Sequence, residues 1–122
     1  MGKRITEDER ERQLFPLESK LQAYALKRLS TAPNLTAFKT IRSNVVGVSD
    51  LVICANGKFI AIELKRAASE KPTIAQREFL KEIERSGGSA GVAWTWGMIK
   101  LQLCLAGYDT GVFIPKEGEK NE

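Results

Sequence analysis

Three residues with chemically useful side chains, Asp50, Glu63 and Lys65, fall within residues 47–66. An Asn-Gly dipeptide at positions 56 and 57 separates two runs that are rich in Val, Ile, Leu and Phe. This pattern favours a β-hairpin with a type I′ turn, because both turn positions need φ > 0 and Asn-Gly tolerates it. A two-residue turn also sets the register of the strands that it joins.

The predicted strands are residues 50–55 and 58–65, and in this register Asp50 lies opposite Glu63. Opposed residues of an antiparallel pair point to the same face, with Cβ atoms roughly 4.5–5.5 Å apart. Lys65 returns to this face because side chains alternate along a strand. The hairpin therefore gathers two acids and a lysine at one end of one sheet face.

Two carboxylates that meet between apolar strands repel each other, and one of them takes up a proton unless a cation intervenes. The strands are apolar on both faces, so we expect helices to cover both sides of them. Mg²⁺ prefers carboxylate and carbonyl oxygens and would remove the repulsion between Asp50 and Glu63. The alternative is a hydrated sheet end at which Lys65 forms a salt bridge.

A helix predicted from Phe15 carries a third acid, Glu18, on or beside its apolar stripe. Glu18 is a candidate third ligand, and the alternative is an early-turn acid that interacts favourably with the helix dipole. Lys20, Lys27 and Arg28 are expected to face solvent.

A second helix is predicted to begin after Thr73 and to end at the Gly-Gly pair of residues 87–88. Thr73 and Gln76 fit a capping box. Gln76 also lies on the side of the helix that carries Leu80 and Ile83. Its spacing therefore favours a functional side chain and a reciprocal cap equally.

The remaining elements are less distinct. Residues 36–43 and residues 89–96 are predicted strands. Residues 98–106 alternate as in a strand, yet Thr95 as N-cap and a glycine at position 107 favour a helix. We therefore predict a helix there.

The chain has 122 residues, which predicts one domain over residues 15–115. Residues 1–14 are expected to form a charged tail or a short helix, and residues 116–122 a disordered tail. The sequence contains neither a membrane-spanning apolar run nor a signal-peptide pattern, which predicts a cytoplasmic protein with no membrane partner. The two cysteines lack metal-ligand spacing, and Cys54 is expected to be buried and reduced.

Histidine is absent from the sequence. This excludes Ser-His-Asp and Cys-His catalysis, histidine-dependent zinc sites and nucleases that use a histidine base. Glycine-rich phosphate loops are also missing. The net charge of +4 suits an anionic partner. Trp94 and Trp96 could stack on bases, although alternate residues of a final strand more often lie in a core or an interface.

The order of these residues resembles the PD-(D/E)-x-K nuclease superfamily, and within it the VRR-NUC (virus-type replication-repair nuclease) modules. The matching pieces are Glu18, the GVSD motif that ends at Asp50, the ELK motif of residues 63–65, and Gln76. The likeness runs from Glu18 to about position 107. The resemblance implies an α/β fold with a restriction-endonuclease-like core, α-β-β-β-α-β, whose mixed sheet is flanked by helices. Ser49 stands where the superfamily name has proline.

The resemblance also implies a role for each matching residue. Asp50 and Glu63 would bind Mg²⁺ or Mn²⁺ together with the Leu64 backbone carbonyl. Glu18 would act on the metal directly or through a bound water. Lys65 would orient the attacking water and stabilise charge on the phosphate, and Gln76 would position the lysine or the water.

Cations that flank this site in sequence are candidates for phosphate contacts, and ordinary solvated charge is the alternative for each. They are Lys39, Arg42, Arg66 and Lys71.

The expected function is that of a metal-dependent, structure-specific DNA endonuclease, such as a Holliday-junction resolvase. The resemblance also implies a homodimer, which small members of the family commonly form, and twofold sites match a twofold junction. The alternatives are an inactive nucleic-acid-binding module of the same fold, and a nuclease without preference for DNA structure.

Overall fold

A computed structural model describes residues 18–114 of the chain. The predicted N-terminal segment (residues 1–14), the predicted helix start at Phe15 and the predicted tail (residues 116–122) lie outside these described residues. The elements in chain order are α1 (Glu18–Leu29), β1 (Leu35–Lys39), β2 (Leu51–Ala55), β3 (Lys58–Leu64), α2 (Ile74–Arg85), β4 (Ser89–Ala93), α3 (Trp96–Leu105) and a short 3₁₀ helix (Thr110–Val112).

The strands form one mixed sheet in the order β1-β2-β3-β4. The first two pairings are antiparallel, and β4 joins β3 in parallel after the α2 crossover. A parallel pairing needs such a crossover, since a tight turn can only reverse the chain. This confirms the predicted α-β-β-β-α-β order and the mixed sheet flanked by helices.

The hairpin pairs as the Asn-Gly turn predicts, with Leu51 opposite Ile62 and Ala55 opposite Lys58. Both turn residues have positive φ, 51° at Asn56 and 79° at Gly57. The register that sets the positions of the two acids is therefore confirmed.

The apolar core lies on the sheet face that α1 and α3 cover together, and its side chains come from both helices and all four strands. The largest of them include Leu29, Leu51, Ile53, Ile60, Ile62, Leu64, Ile99 and Leu103. The opposite face is covered by α2, which packs mainly over β3 and β4. The two faces are thus covered to different extents.

Both faces of the sheet are thus flanked by helices, as expected, but the cover on the α2 side is incomplete. On the α2 side, β1 and the turn end of the hairpin stay open, with Phe38 55% and Phe59 42% exposed. Cys54 pairs with Phe59 in this uncovered region and is exposed, so the predicted buried thiol is wrong. The cause is the placement of α2, which does not reach the outer part of the hairpin.

The outer strands β1 and β4 are shorter than predicted. β1 spans Leu35–Lys39 instead of residues 36–43, because its partner β2 begins at Leu51, which pairs with Lys39. β4 spans Ser89–Ala93 instead of residues 89–96, since Thr95 already caps α3. The predicted helix over residues 98–106 is confirmed and begins earlier, at Trp96.

An aromatic cluster ties α1 to the end of the described chain. The Trp96 ring is buried and makes edge contacts with Tyr24 and Phe113. Arg28 lies beside the Tyr24 and Trp96 rings and donates to the Ile114 carbonyl, so the predicted solvent exposure of Arg28 is wrong. Cation–π contact and hydrogen bonding explain how a guanidinium is held there. Trp96 therefore has a core position, which was the preferred expectation.

Candidate metal and nuclease site

Asp50 and Glu63 meet on the sheet face that α2 covers. Asp50 directly precedes β2, and one of its carboxylate oxygens, Oδ2, accepts the Leu64 backbone N–H at 2.8 Å. Its carboxyl group is also close enough to the Glu63 carboxyl group to raise the pKa of Glu63. The hairpin register thus brings together the two acids that the sequence placed opposite each other.

Glu63 is an acid inside the protein, with only 2% of its surface exposed. Its Oε1 accepts from Gln76 Nε2 at 3.2 Å, while its Oε2 is buried with no hydrogen-bond partner in the described part of the chain. Burial, followed by the contact with Asp50, raises the pKa of Glu63 well above its ordinary value of 4.5, and the charge of Lys65 opposes this. A buried, unsatisfied carboxylate oxygen is unfavourable unless a proton or a cation fills its place.

This raised pKa predicts a pH-dependent effect of Mg²⁺ on stability. Without metal, folding disfavours ionisation of Glu63, so stability falls as the pH rises from 4.5 towards the folded-state pKa of about 9. A divalent cation bound by Glu63 would offset this loss, and the rise in Tm on adding Mg²⁺ should therefore grow from pH 5 to pH 8.

Thermal unfolding with Mg²⁺ and with EDTA, measured across this pH range, checks the prediction. Glu18 and Asp50 are the acids that face Glu63, and Lys65 is the opposing cation. Glu63→Gln is the control, because it removes the titrating group and should flatten the dependence. A Mg²⁺ effect that does not vary with pH would contradict the prediction.

Gln76 sits at the first turn of α2 and contacts both sides of the site. Its Oε1 accepts from the Thr73 backbone N–H at 2.8 Å and from Lys65 Nζ at 3.3 Å. Its own backbone N–H donates to Thr73 Oγ1, which completes the predicted capping box. The capping interpretation of Gln76 is confirmed, and the same amide also contacts Glu63 and Lys65; its functional role stays a prediction.

Gly47 lets the chain before Asp50 approach this first turn of α2. Its φ is +82°, and a Cβ at this position would lie 2.4 Å from the carbonyl carbon of Ala75 and 2.7 Å from the Gln76 nitrogen. Both of these are backbone atoms that cannot swing aside. The GVSD motif therefore starts with a residue that must lack a side chain.

Gly47→Ala should lower the free energy of unfolding by about 3 kcal/mol, the sum of left-handed backbone strain and steric overlap. Gly57→Ala is a matched control, because Gly57 has a φ of +79° and open space around its Cβ position. Gly57→Ala should lower the free energy of unfolding by only about 1–2 kcal/mol. Equal losses in urea unfolding would show that the contact with α2 is unimportant.

Glu18 lies at the start of α1 and faces the same site at longer range. Partial burial, followed by the charge of Asp50, raises its pKa, while Lys65 lowers it. Among residues 18–114, however, no three acidic, cysteine or histidine side chains come close enough to form a metal-binding group. The structure thus unites Asp50 and Glu63 and keeps Glu18 as an electrostatic neighbour.

Glu70 is an acid that sequence reasoning missed. It raises the pKa of Glu18, and with Glu18, Ser19 and Arg66 it lines a cleft. Its carboxylate accepts the Arg66 backbone N–H at 3.2 Å and lies 3.4 Å from the Arg66 guanidinium. The i,i+4 spacing of Arg66 and Glu70 was the available signal.

The candidate phosphate-binding cations occupy different surroundings. Lys39 is the last residue of β1 and is exposed. The backbone N–H of the next residue, Thr40, donates to the Asp50 carbonyl at 3.0 Å. Arg42 and Lys71 are exposed in the segments before β2 and before α2. Arg66 is also exposed and forms a surface ion pair with Glu70.

The arrangement fits a hard divalent cation. Asp50 and Glu63 supply carboxylate oxygens, and within residues 18–114 the Glu63 Oε2 atom has no hydrogen-bond partner. Leu64 lies between Glu63 and Lys65, with its N–H held by Asp50. Oxygen donors of this kind suit Mg²⁺ or Mn²⁺ and not a thiolate-binding metal.

A mixed four-stranded sheet between helices, with two acids at a hairpin end, defines an α/β fold. A solved structure described as a VRR_NUC domain matches the chain with a TM-score of 0.61 and 22% sequence identity. The match covers 75% of this chain and 97% of that one. The chain therefore has the fold of a VRR_NUC domain, as the motif resemblance predicts. No family model matches the sequence, and no curated protein does.

Among residues 18–114, none of the helices combines the length and the apolar character that crossing a membrane requires.

Proposed function

We propose that this chain is a VRR-NUC-type endonuclease that uses Mg²⁺ or Mn²⁺ to hydrolyse DNA phosphodiester bonds. The observation that carries the proposal is the buried Oε2 of Glu63, which has no hydrogen-bond partner among the described residues and belongs to an acid whose pKa is raised by burial and by nearby Asp50. A purely structural sheet end would not keep an unsatisfied acid at 2% exposure. Asp50, Glu63 and the Leu64 carbonyl would hold the metal, and Glu18 would support them directly or through a water.

Bound metal supplies charge neutralisation at the phosphate and makes water a stronger acid. Lys65 would orient the attacking water and stabilise negative charge on the phosphate with its ammonium group. Gln76 would hold Lys65 and Glu63 in their relative positions through its two amide contacts. Lys39, Arg42, Arg66 and Lys71 would contact phosphates that flank the cleaved bond.

The proposed substrate is branched DNA, with a Holliday junction as the leading candidate, and the proposed active form is a homodimer. A dimer with twofold symmetry presents two equal sites, which suits paired cuts in a four-way junction. The proposed location is the cytoplasm.

The test is a panel of labelled four-way junctions, flaps, linear duplex and single strands, incubated with Mg²⁺ or with EDTA. We expect Mg²⁺-dependent cleavage, with symmetric cuts in the four-way junction, and a dimer by light scattering. Equal cleavage of all DNA forms would remove the structure preference and keep the nuclease. Binding without cleavage under Mg²⁺ and Mn²⁺ would replace the enzyme with a nucleic-acid-binding module.

A further inference from the structure

The side-chain amide of Gln76 is held by three hydrogen bonds, of which it accepts two and donates one. Its oxygen accepts from the Thr73 N–H at 2.8 Å and from Lys65 Nζ at 3.3 Å. Its nitrogen donates to Glu63 Oε1 at 3.2 Å. A flipped amide would set donor against donor at Thr73 and Lys65, and acceptor against acceptor at Glu63. The amide therefore has one satisfactory orientation.

Thr73 forms hydrogen bonds with both the backbone and the side chain of Gln76. Its backbone N–H binds the side chain of Gln76, and its Oγ1 accepts the Gln76 backbone N–H at 3.1 Å. The cap is thus connected to a buried acid of the proposed site through one side chain. On the other side of the same turn, the backbone of Gly47 lies against Ala75 and Gln76.

We propose that Thr73 is a positioning residue of the proposed metal site, and that it acts through Gln76 on Glu63 and Lys65. The inference rests on the proposed function, because it concerns how the metal-binding acid is held. With Gln76 locked, Oε1 of Glu63 is occupied and Oε2 is the oxygen left for a cation. Groups that orient metal ligands in this way affect metal affinity, although they never touch the ion.

Three substitutions separate this role from ordinary helix capping. Thr73→Ala removes the hydroxyl, Thr73→Ser restores it, and Thr73→Gly lacks it at a cap position where glycine itself is well tolerated. Thr95→Ala is the matched control. Thr95 caps α3 in the same way, with its Oγ1 accepting the Met98 N–H at 3.0 Å, and α3 carries none of the proposed site residues.

The first readout uses the metal-free protein, so it does not depend on nuclease activity. The side-chain NH₂ protons of Gln76 should be shifted and protected from exchange in NMR spectra of the parent. Thr73→Ala and Thr73→Gly should lose this signature, whereas Thr73→Ser and Thr95→Ala should keep it. An unchanged signature in Thr73→Ala, or an equal loss in Thr95→Ala, would overturn the proposal.

The second readout is the affinity for Mn²⁺, which is measured through the effect of bound Mn²⁺ on water proton relaxation. Thr73→Ala should weaken binding by about tenfold to a hundredfold. In a Gln76→Ala background it should cause no further loss, because the two residues act as one unit. Additive losses would overturn the proposal. If the parent fails to bind Mn²⁺, the proposed function fails, and the NMR readout still decides the role of Thr73.

Discussion

Glu63→Gln is expected to abolish DNA cleavage and at the same time to stabilise the metal-free protein. Loss of a charged ligand should reduce the cleavage rate about a thousandfold or more, corresponding to about 4 kcal/mol of lost charge stabilisation. The same change removes a buried acid whose Oε2 has no partner and whose pKa is raised. The amide of the new side chain can donate to Asp50 and accept from Gln76.

In Mg²⁺-free buffer at pH 8 we expect Glu63→Gln to raise the free energy of unfolding by about 1–3 kcal/mol, which is the typical penalty of an unsatisfied buried polar group. Single-turnover cleavage and urea unfolding measure the two effects. Glu78→Gln is the control, since Glu78 is an exposed acid of α2 and should change neither quantity. Cleavage within tenfold of the parent, or a loss of stability, would contradict the proposed role of Glu63.

Local signals were sufficient to predict the centre of the site. The Asn-Gly turn sets which residues of the hairpin face each other, and strand alternation then decides their face. Asp50 and Glu63 therefore meet as predicted. The capping box of α2 is equally local, since Thr73 and Gln76 are three positions apart.

Packing between distant elements was not predictable in this way. The ends of β1 and β4 depend on where their partner strands stop, and the exposure of Cys54 depends on which strands α2 covers. Arg28 lies on the predicted helix, yet its burial depends on Trp96 and on the carbonyl of Ile114, far along the chain. Sequence periodicity carries no information on these distances.

The same limit applies to the outer part of the site. The sequence places Glu18 on the correct helix, but its distance from Asp50 depends on how α1 packs on the sheet. In the structure, Glu18 does not form a three-residue ligand group with Asp50 and Glu63, and no such group occurs among residues 18–114. Two features of the site depend on how α2 packs on the sheet. They are the lack of a hydrogen-bond partner for Glu63 Oε2 among the described residues, and the three hydrogen bonds of the Gln76 amide.

Lys65→Met is expected to separate metal binding from catalysis. Lys65 holds its ammonium group 3.3 Å from Gln76 Oε1, and its charge lowers the pKa of both Glu18 and Glu63. Its removal takes a cation away from the acids that would hold the metal, so Mn²⁺ should bind at least as tightly at pH 8. Cleavage should fall about a hundredfold to a thousandfold, as when one preorganised charge donor is removed.

Single-turnover cleavage and the Mn²⁺ dissociation constant, measured on the same preparation, test this separation. Lys58→Met is the matched control, because Lys58 lies at the other end of β3 and is exposed. It should leave both quantities unchanged, since a surface charge far from the acids is screened by salt. Weaker Mn²⁺ binding in Lys65→Met would mean that Lys65 acts on the acids by arranging the strand end. In that case the charge that stabilises the phosphate must come from another residue.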